Sequence, residues 1–307
     1  MFFGKSSSQT TTTPHNIAIL GANALGLYWA DIFKNLGHNV FVLCSPKKAE
    51  EYNATDFTFR DSAHLKNQRN NFHFGHELPF MPEFLLITVS AQHQISDLTL
   101  LCPNILSDTI VINFCFPNLT PILSEIIRKP TINTFFEGWV NRNQNHISIF
   151  GRSPRITFNL SDTSEDAPFL RDLFESSDLK IIFNEHENES LWNFAAPFLA
   201  HNLLTARFNC NIFDFGKTET GRHQIDTLLE EISRMAQADN IRISTAELLT
   251  KVYEIPSAYV SSLQKSIQTK NPLFFQRINT FLLSKTGQNE RKYPFIHQII
   301  QEIRNKY

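Results

Sequence analysis

A glycine turn near the start of the chain is the clearest place where residue types and spacing could do chemistry. Gly21 and Gly26 bracket the run Gly-Ala-Asn-Ala-Leu-Gly, in which Asn23 stands where a middle glycine is usual. Such a turn lets the backbone approach a pyrophosphate and aims the N–H groups of the following helix at the anion. Asparagine tolerates left-handed backbone better than most residues, but its side chain adds bulk. We therefore predict a dinucleotide-binding turn formed by Gly21, Asn23, Ala24, Leu25 and Gly26.

The segment after the second predicted strand indicates which dinucleotide is bound. It reads Cys-Ser-Pro-Lys-Lys, and no carboxylate occurs before Glu50. An NAD site usually places an acidic residue there for the ribose 2′-hydroxyl, whereas an NADP site needs cationic or small polar groups. Ser45, Lys47 and Lys48 therefore predict NADPH. The alternative is that the two lysines are only solvated side chains in a loop.

The elements around these residues alternate between strands and helices. An apolar run at residues 16–20 precedes the glycine turn, a helical pattern covers 25–36, and 39–44 form a second strand. This order predicts a parallel, right-handed βαβ unit with its ligand crevice at the carboxyl ends of the strands. The alternation continues with predicted strands at 84–89, 109–114, 132–136, 146–150, 155–159 and 180–184, and with helical segments at 96–101, 120–127 and 165–176.

The pattern changes after Glu185, because strand signals stop and only helical patterns follow. These patterns cover residues 189–208, 218–239, 244–253, 258–267, 271–284 and 293–306. An α/β half followed by an all-α half predicts two domains. The predicted architecture is a disordered leader at 1–14, a Rossmann-type parallel sheet domain at 15–185, and a helical substrate and dimerisation domain at 186–307.

Composition excludes several classes of protein. The formal net charge of −2 in 307 residues gives no sign of a nucleic-acid or membrane surface. No segment approaches the ~20 apolar residues that a spanning helix needs. The four cysteines form no CxxC pair and favour a reduced cytosolic compartment. No set of histidine, cysteine and acidic residues has metal-ligand spacing, so we predict no metal site.

Three segments resemble the 2-dehydropantoate 2-reductase (ketopantoate reductase) family in order and spacing. They read NIAILGANALGLYWADIFKNLGHNV, SLWNFAAPFLAHNLLTARF and SSLQKSIQTKNPLFFQRINTFLL. The resemblance implies NADPH-dependent reduction of a small 2-keto acid in the cleft between the domains. Ketopantoate, the substrate of this step in pantothenate biosynthesis, is the best single guess. The phenylalanine-rich helical half is also consistent with a hydrophobic dimer face, and hence with a homodimer.

Some family positions are retained in this chain. Asn202 matches a family asparagine and Ser262 matches the family's substrate-binding serine, so the resemblance implies that both hold the substrate. The lysine that follows the family's fourth strand becomes Ser90, which the resemblance places at the cofactor.

The family's acid–base positions are not retained. Its lysine, which donates a proton or stabilises the alkoxide, falls on Phe194, and an asparagine one turn later falls on Phe198. Its glutamate falls on Phe274. Phenylalanine cannot donate a proton, and three of them predict a largely apolar cleft. Plain core packing is the alternative for all three.

Two explanations remain open. A rearranged acid could do the lysine's work, with Glu137, His201, Lys270 and Arg277 as candidates. Otherwise the chemistry is lost, which leaves a nucleotide-binding protein or a reductase for a more apolar carbonyl compound. Each candidate also has an ordinary interpretation: a buried histidine, a solvated turn carboxylate or surface charges. Asn202 could equally be a helix residue bonded to a neighbouring carbonyl.

Overall fold

The computed structural model describes residues 13–61, 67–70, 72–89, 105, 107–116, 120–174, 177, 179–287 and 289–307. Ser90, Cys102 and the helical segment predicted at 96–101 lie outside the described residues, as do residues 1–12 of the predicted leader. No helix in the described part of the chain is long and apolar enough to cross a membrane.

The N-terminal half is built on one mixed sheet. Its ten strands in the described residues are β1 (Asn16–Leu20), β2 (Asn39–Leu43), β3 (Phe57–Asp61), β4 (Asn67–Asn70), β5 (His73–Gly75), β6 (Phe84–Ile87), β7 (Ile110–Asn113), β8 (Ile132–Asn143), β9 (His146–Phe158) and β10 (Lys180–Phe183).

Six of these strands form a parallel core in the order β5-β2-β1-β6-β7-β8. This is the strand order of the doubly wound dinucleotide-binding sheet, in which the chain reverses direction beside β1. The central strands are apolar because helices cover both faces, and Ile17, Ile19, Leu85 and Leu86 have no exposed surface. The α/β class and the Rossmann-type arrangement predicted from the sequence are confirmed.

The far end of the sheet differs from the prediction. The three short strands predicted between residues 132 and 159 are two long antiparallel strands, β8 and β9, with an irregular register between Glu137 and Trp139. β3 pairs in parallel with β9, and β4 pairs in antiparallel fashion with β3. Strands β3 and β4 were not predicted, because their sequences are polar or mixed and because, among the described strands, β3 pairs only with β9 of the hairpin and with β4.

Four helices accompany the strands: α1 (Ala24–Asn35), α2 (Pro46–Asn53), α3 (Thr120–Ile127) and α4 (Ala167–Phe174). Three residues separate the end of β1 from the start of α1, and two residues separate the end of β2 from the start of α2. The N-termini of both helices therefore lie at the carboxyl edge of the sheet, where parallel α/β folds bind ligands.

The rest of the described chain is helical: α5 (Glu187–Phe208), α6 (Ile212–Phe215), α7 (Glu219–Ala238), α8 (Thr245–Tyr253), α9 (Ser262–Gln268), α10 (Leu273–Thr286) and α11 (Pro294–Arg304). Helix α5 is central and is buried around most of its circumference, as a helix that is apolar on every side must be. The last strand ends at Phe183 and α5 begins at Glu187, on either side of the boundary predicted near residue 185.

Candidate active site

The glycine turn closes tightly against the loop that follows β6. Gly21 has φ +116°, and a Cβ placed on it would lie 2.8 Å from Thr88 Oγ1. A Cβ on Gly26 would lie 1.9 Å from the carbonyl oxygen of Gly21. Neither position admits a side chain, so both glycines are required for the close approach of helix and strand.

Asn23 caps helix α1 where many dinucleotide-binding turns have glycine. Its Oδ1 accepts a hydrogen bond from Gly26 N at 2.9 Å, and its Nδ2 donates to the carbonyl oxygen of Thr88. The side chain therefore ties the turn to the neighbouring loop. Asn23, Ala24 and Leu25 all line the adjacent cleft, which places the first turn of α1 beside it.

Ser45, Lys47 and Lys48 lie at the same edge of the sheet, at the start of α2. Ser45 is the N-cap residue and makes no side-chain capping bond, and both lysines are exposed. Gly21 N donates to the carbonyl oxygen of Leu43, the last residue of β2, so the two helix N-termini are neighbours. The three side chains do not line the cleft itself.

A cation that was not predicted from the sequence lies beside the glycine turn. Arg142, near the end of β8, donates from Nη1 to the carbonyl oxygen of Ala22 at 3.0 Å and to the hydroxyl of Tyr52 at 2.9 Å. Its guanidinium also lies 4.5 Å from the centre of the Tyr52 ring. The local sequence carries no signal for this contact, because Arg142 and Ala22 are 120 positions apart and meet only through the β8–β9 hairpin.

A cleft of about 660 Å³ lies between the glycine turn, the β8–β9 hairpin and helices α5, α9 and α10. Its described lining includes three cations, Arg142, Lys265 and Arg277, and no aspartate or glutamate. Such an excess of positive charge in a chain of net charge −2 favours anionic ligands.

Phenylalanines form one wall of this cleft. Phe194 and Phe198 stack with ring centres 5.3 Å apart, and Phe116 contacts both rings edge-on at 5.4 and 5.2 Å. The ring centre of Phe274 lies 6.4 Å from that of Phe198, so Phe274 belongs to the same wall. The three positions where the family resemblance puts polar groups therefore face the cleft as an aromatic wall.

Ser262 belongs to helix α9 and Asn202 contacts that helix, but the two side chains have different surroundings. Ser262 begins α9, lines the cleft and shares a hydrogen bond with Tyr259. Asn202 is fully buried, donates from Nδ2 to the carbonyl oxygen of Phe198 and accepts from Leu263 N. The interpretation of Asn202 as a helix residue bonded to a neighbouring carbonyl is confirmed. Its influence on a bound molecule must pass through the position of α9.

Glu137 faces a second cavity. It lies at the β8 irregularity opposite Arg155, and together with Arg155, Glu247, Lys251 and Glu254 it lines a space of about 860 Å³. It is not among the residues that line the cleft of Ser262. The structure therefore does not bring Glu137 together with the other predicted site residues.

Two of the remaining candidate acids are unsuited to the cleft. His201 is only 2% exposed, and burial lowers its pKa to about 4, so the ring is neutral near pH 7. Lys270 is exposed and donates to the carbonyl oxygen of Lys306 at 2.6 Å. Arg277 differs from the surface charge expected for it, because it lines the cleft and hydrogen-bonds the buried thiol of Cys115.

Lys265 is a further cleft residue that was not predicted from the sequence. It lies one turn after Ser262 on α9, and its Nζ donates to Asn141 Oδ1 on β8 at 2.5 Å. Burial lowers its pKa to about 8. The side chain therefore spans from the helical half to the hairpin across the cleft.

Comparison with known proteins shows similarity over most of the chain. The family model described as "Ketopantoate reductase PanE/ApbA" matches residues 17–115, and "Ketopantoate reductase PanE/ApbA C terminal" matches residues 189–307. A 2-dehydropantoate 2-reductase of Vibrio cholerae serotype O1 is 24% identical over 297 residues, covering 94% of this chain and 97% of that protein.

Solved structures share the fold. A dimeric ketopantoate reductase from Staphylococcus aureus superposes with a TM-score of 0.72 at 18% identity, covering 94% of this chain and 98% of that chain. A D-mandelate dehydrogenase bound to NADH and anilino(oxo)acetate superposes with a TM-score of 0.78 at 18% identity, covering 94% and 97% of the two chains.

Proposed function

The chain belongs to the ketopantoate reductase family and is an NAD(P)-dependent oxidoreductase of that type, and from this premise we propose that it uses NADPH to reduce a small 2-keto acid. Ketopantoate, reduced to pantoate in pantothenate biosynthesis, is the best single substrate. The observation that carries the proposal is the cleft with three cations and no described carboxylate in its lining. A nicotinamide dinucleotide and a keto acid are both anions, and such a cleft attracts both.

The described residues fit the dinucleotide. The glycine turn and the first turn of α1 suit the pyrophosphate, because Gly21 and Gly26 leave no side chain between backbone and ligand. Arg142 adds a cation beside the turn. Ser45, Lys47 and Lys48 at the start of α2 favour the 2′-phosphate of NADPH. When bound, this cofactor supplies the hydride.

In this proposal the substrate lies between α9, α10 and the aromatic wall. Arg277 and Ser262 bind its carboxylate and oxygen atoms, because guanidinium and hydroxyl groups are good partners for these acceptors. Asn202 holds α9 in place through its bond from Leu263 N. Glu137, which lines the second cavity, is given no part in this proposal.

We also propose the assembly and setting of the enzyme. The helical half, residues 186–307, forms the substrate and dimerisation domain, and the relative from Staphylococcus aureus is described as dimeric. A homodimer in the cytosol is the proposed state.

The aromatic wall favours a second candidate, a 2-keto acid with an aryl or bulky apolar side chain. Six phenylalanines in the described part of the chain line the cleft. The four in the aromatic wall, Phe116, Phe194, Phe198 and Phe274, can stack on an aromatic substrate. The structurally similar D-mandelate dehydrogenase is described in complex with NADH and anilino(oxo)acetate, an anion that carries a phenyl ring. A nucleotide-binding protein without catalysis is the remaining alternative.

The first experiment is NADPH oxidation by purified protein at pH 5 to 9, with ketopantoate or phenylglyoxylate, alongside a titration of NADPH binding. Turnover with ketopantoate supports the leading proposal. Turnover with phenylglyoxylate alone favours the aryl substrate. Saturable NADPH binding without turnover of either acid indicates a non-catalytic protein, and no NADPH binding contradicts all three.

Arg277→Met tests the proposed carboxylate contact. We expect the KM for the keto acid to rise about tenfold or more, because a hydrogen bond to a charged group contributes roughly 1.5–3 kcal/mol. Arg304→Met is the matched control, since Arg304 is exposed on α11 and does not line the cleft. An unchanged KM in Arg277→Met contradicts the contact.

A further inference from the structure

Reduction of a keto acid needs a proton donor, and the family's position for one is Phe194. The described lining of the cleft contains five residues of the ionisable types: Arg142, Tyr259, Lys265, Arg277 and Cys115. Arginine holds its proton far above neutral pH. Burial raises the pKa of both the Tyr259 hydroxyl and the Cys115 thiol to about 12. Lys265 is the described group in this set that can release and regain a proton near physiological pH.

The position of Lys265 suits a donor. Ser262, Lys265, Ser266 and Thr269 all line the cleft, and their spacing of three, four and seven residues puts them on one face of α9. Lys265 is therefore one turn from the serine proposed to bind the substrate. The ammonium is directed across the cleft by its hydrogen bond to Asn141 on β8.

The helix that carries Lys265 is firmly placed. Ser261 and Gln264 form a reciprocal capping box at its start, which satisfies two of the free N–H groups of the first turn. Asn202 accepts from Leu263 N, and Thr205 donates to the hydroxyl of Ser261 at 2.9 Å. These bonds anchor α9 to α5, so the lysine is held where the substrate would bind.

We propose that Lys265 is the proton donor of this reductase, in place of the lysine that the family carries at the position of Phe194. This inference rests on the proposed function. When hydride is added to C2 of the keto acid, the π electron pair of the carbonyl moves to its oxygen. An N–H bond of the Lys265 ammonium breaks and an O–H bond forms on that oxygen, which gives the 2-hydroxy acid. The neutral amine then regains a proton from water.

The charges around Lys265 are consistent with this role. The ionisable groups that share the cleft with it are Arg277 on α10, Arg142 on β8, Tyr259 before α9 and Cys115 after β7, and its hydrogen-bond partner Asn141 is neutral. The buried, neutral His201 on α5 packs against Tyr259. No carboxylate of the described residues pairs with Lys265. Its proton is therefore available to the substrate, and kcat should fall as pH rises above about 8.

Two substitutions and one control test the assignment. Lys265→Met removes the proton, and we expect kcat to fall about 100-fold or more, the usual contribution of a general acid. Lys265→Arg keeps the charge and a donor for Asn141, but guanidinium does not release its proton, so kcat should stay low. Lys180→Met replaces an exposed lysine outside the cleft lining and should leave kcat unchanged. Circular dichroism and NADPH affinity verify that each variant is folded.

A second readout does not depend on turnover. In protein labelled with ¹³C at the lysine Cε, the resonance missing from Lys265→Met should titrate near pH 8, well below the ordinary value near ~10.4. The midpoint should match the alkaline limb of kcat in the wild type.

The outcomes separate the two proposals. A wild type that reduces no keto acid contradicts the proposed function. An active wild type overturns the donor role alone if Lys265→Met keeps its kcat, if Lys265→Arg restores it, or if only KM changes. A titration near ~10.4 also overturns it.

Discussion

Asn141 is the residue through which the donor's pKa can be adjusted. Its side-chain oxygen accepts a hydrogen bond from the Lys265 ammonium at 2.5 Å. A bond to the charged form stabilises that form, so Asn141 opposes the burial that lowers the pKa of Lys265. It is a positioning residue and takes no part in the proton transfer.

Asn141→Leu should therefore lower the pKa of Lys265 further. The alkaline limb of kcat, expected near pH 8 in the wild type, should move to lower pH, since less of the lysine is protonated at any given pH. The measurement is the pH profile of kcat. Asn143→Leu is the matched control, two residues along the same strand, exposed and outside the cleft lining. A shift to higher pH, or none, contradicts this role for Asn141.

At the scale of elements, helix α5 supports the cleft through the packing of a buried histidine. His201 on this helix packs its ring 6.2 Å from Trp139 and 5.6 Å from Tyr259, both of which line the cleft. Its Nδ1 is buried without a hydrogen-bond partner among the described residues. The ring is therefore neutral in the fold and costly to protonate.

His201 should make the fold sensitive to acid. Its pKa falls from the ordinary 6.5 to about 4 on folding, so the unfolded chain binds a proton that the folded chain does not. The contribution of the neutral His201 ring to the free energy of unfolding is therefore complete above pH 6.5. It falls by about 3 kcal/mol as the pH falls towards 4. Urea unfolding at several pH values measures it.

His201→Phe keeps an aromatic ring but does not titrate. The free energy of unfolding of this variant should fall less than that of the wild type between pH 6.5 and 4. His223→Phe on α7 is the control for the loss of an imidazole, because His223 is exposed. Parallel curves for wild type and His201→Phe contradict the prediction.

At the scale of the whole molecule, separate parts of the chain meet at the carboxyl edge of the sheet and form one surface for the proposed cofactor. The glycine turn, the start of α2 and the tip of the hairpin supply the backbone groups and cations. A ligand that binds only the folded state stabilises it by mass action, about 2.7 kcal/mol at a concentration 100 times its Kd. Thermal unfolding therefore reports cofactor choice for the intact protein.

Lys47→Glu combined with Lys48→Glu should reduce the rise in Tm caused by NADPH much more than that caused by NADH. The reason is that only NADPH carries the 2′-phosphate that these lysines are proposed to bind. Lys34→Glu is the control, an exposed lysine at the last turn of α1. Equal losses for both cofactors contradict the NADPH assignment.

The sequence alone determined the features that local patterns encode. The glycine turn, the βαβ unit, the change to all-helical structure near residue 185 and the aromatic positions Phe194, Phe198 and Phe274 were all predictable. Periodicity and glycine placement reflect backbone geometry within about 20 residues of chain, so they can be recognised without knowledge of the fold.

Only the tertiary structure decided which polar groups meet in the cleft. Lys265 and Asn141 are 124 positions apart, and Arg142 and Ala22 are 120 apart, so no local pattern links them. Asn202 matches the family motif, yet its side-chain amide is hydrogen-bonded to the backbone of the protein. Lys265 matches no motif, yet it lines the cleft. The reason is physical: which side chain reaches a cavity depends on how distant elements pack, and burial then sets its charge and pKa.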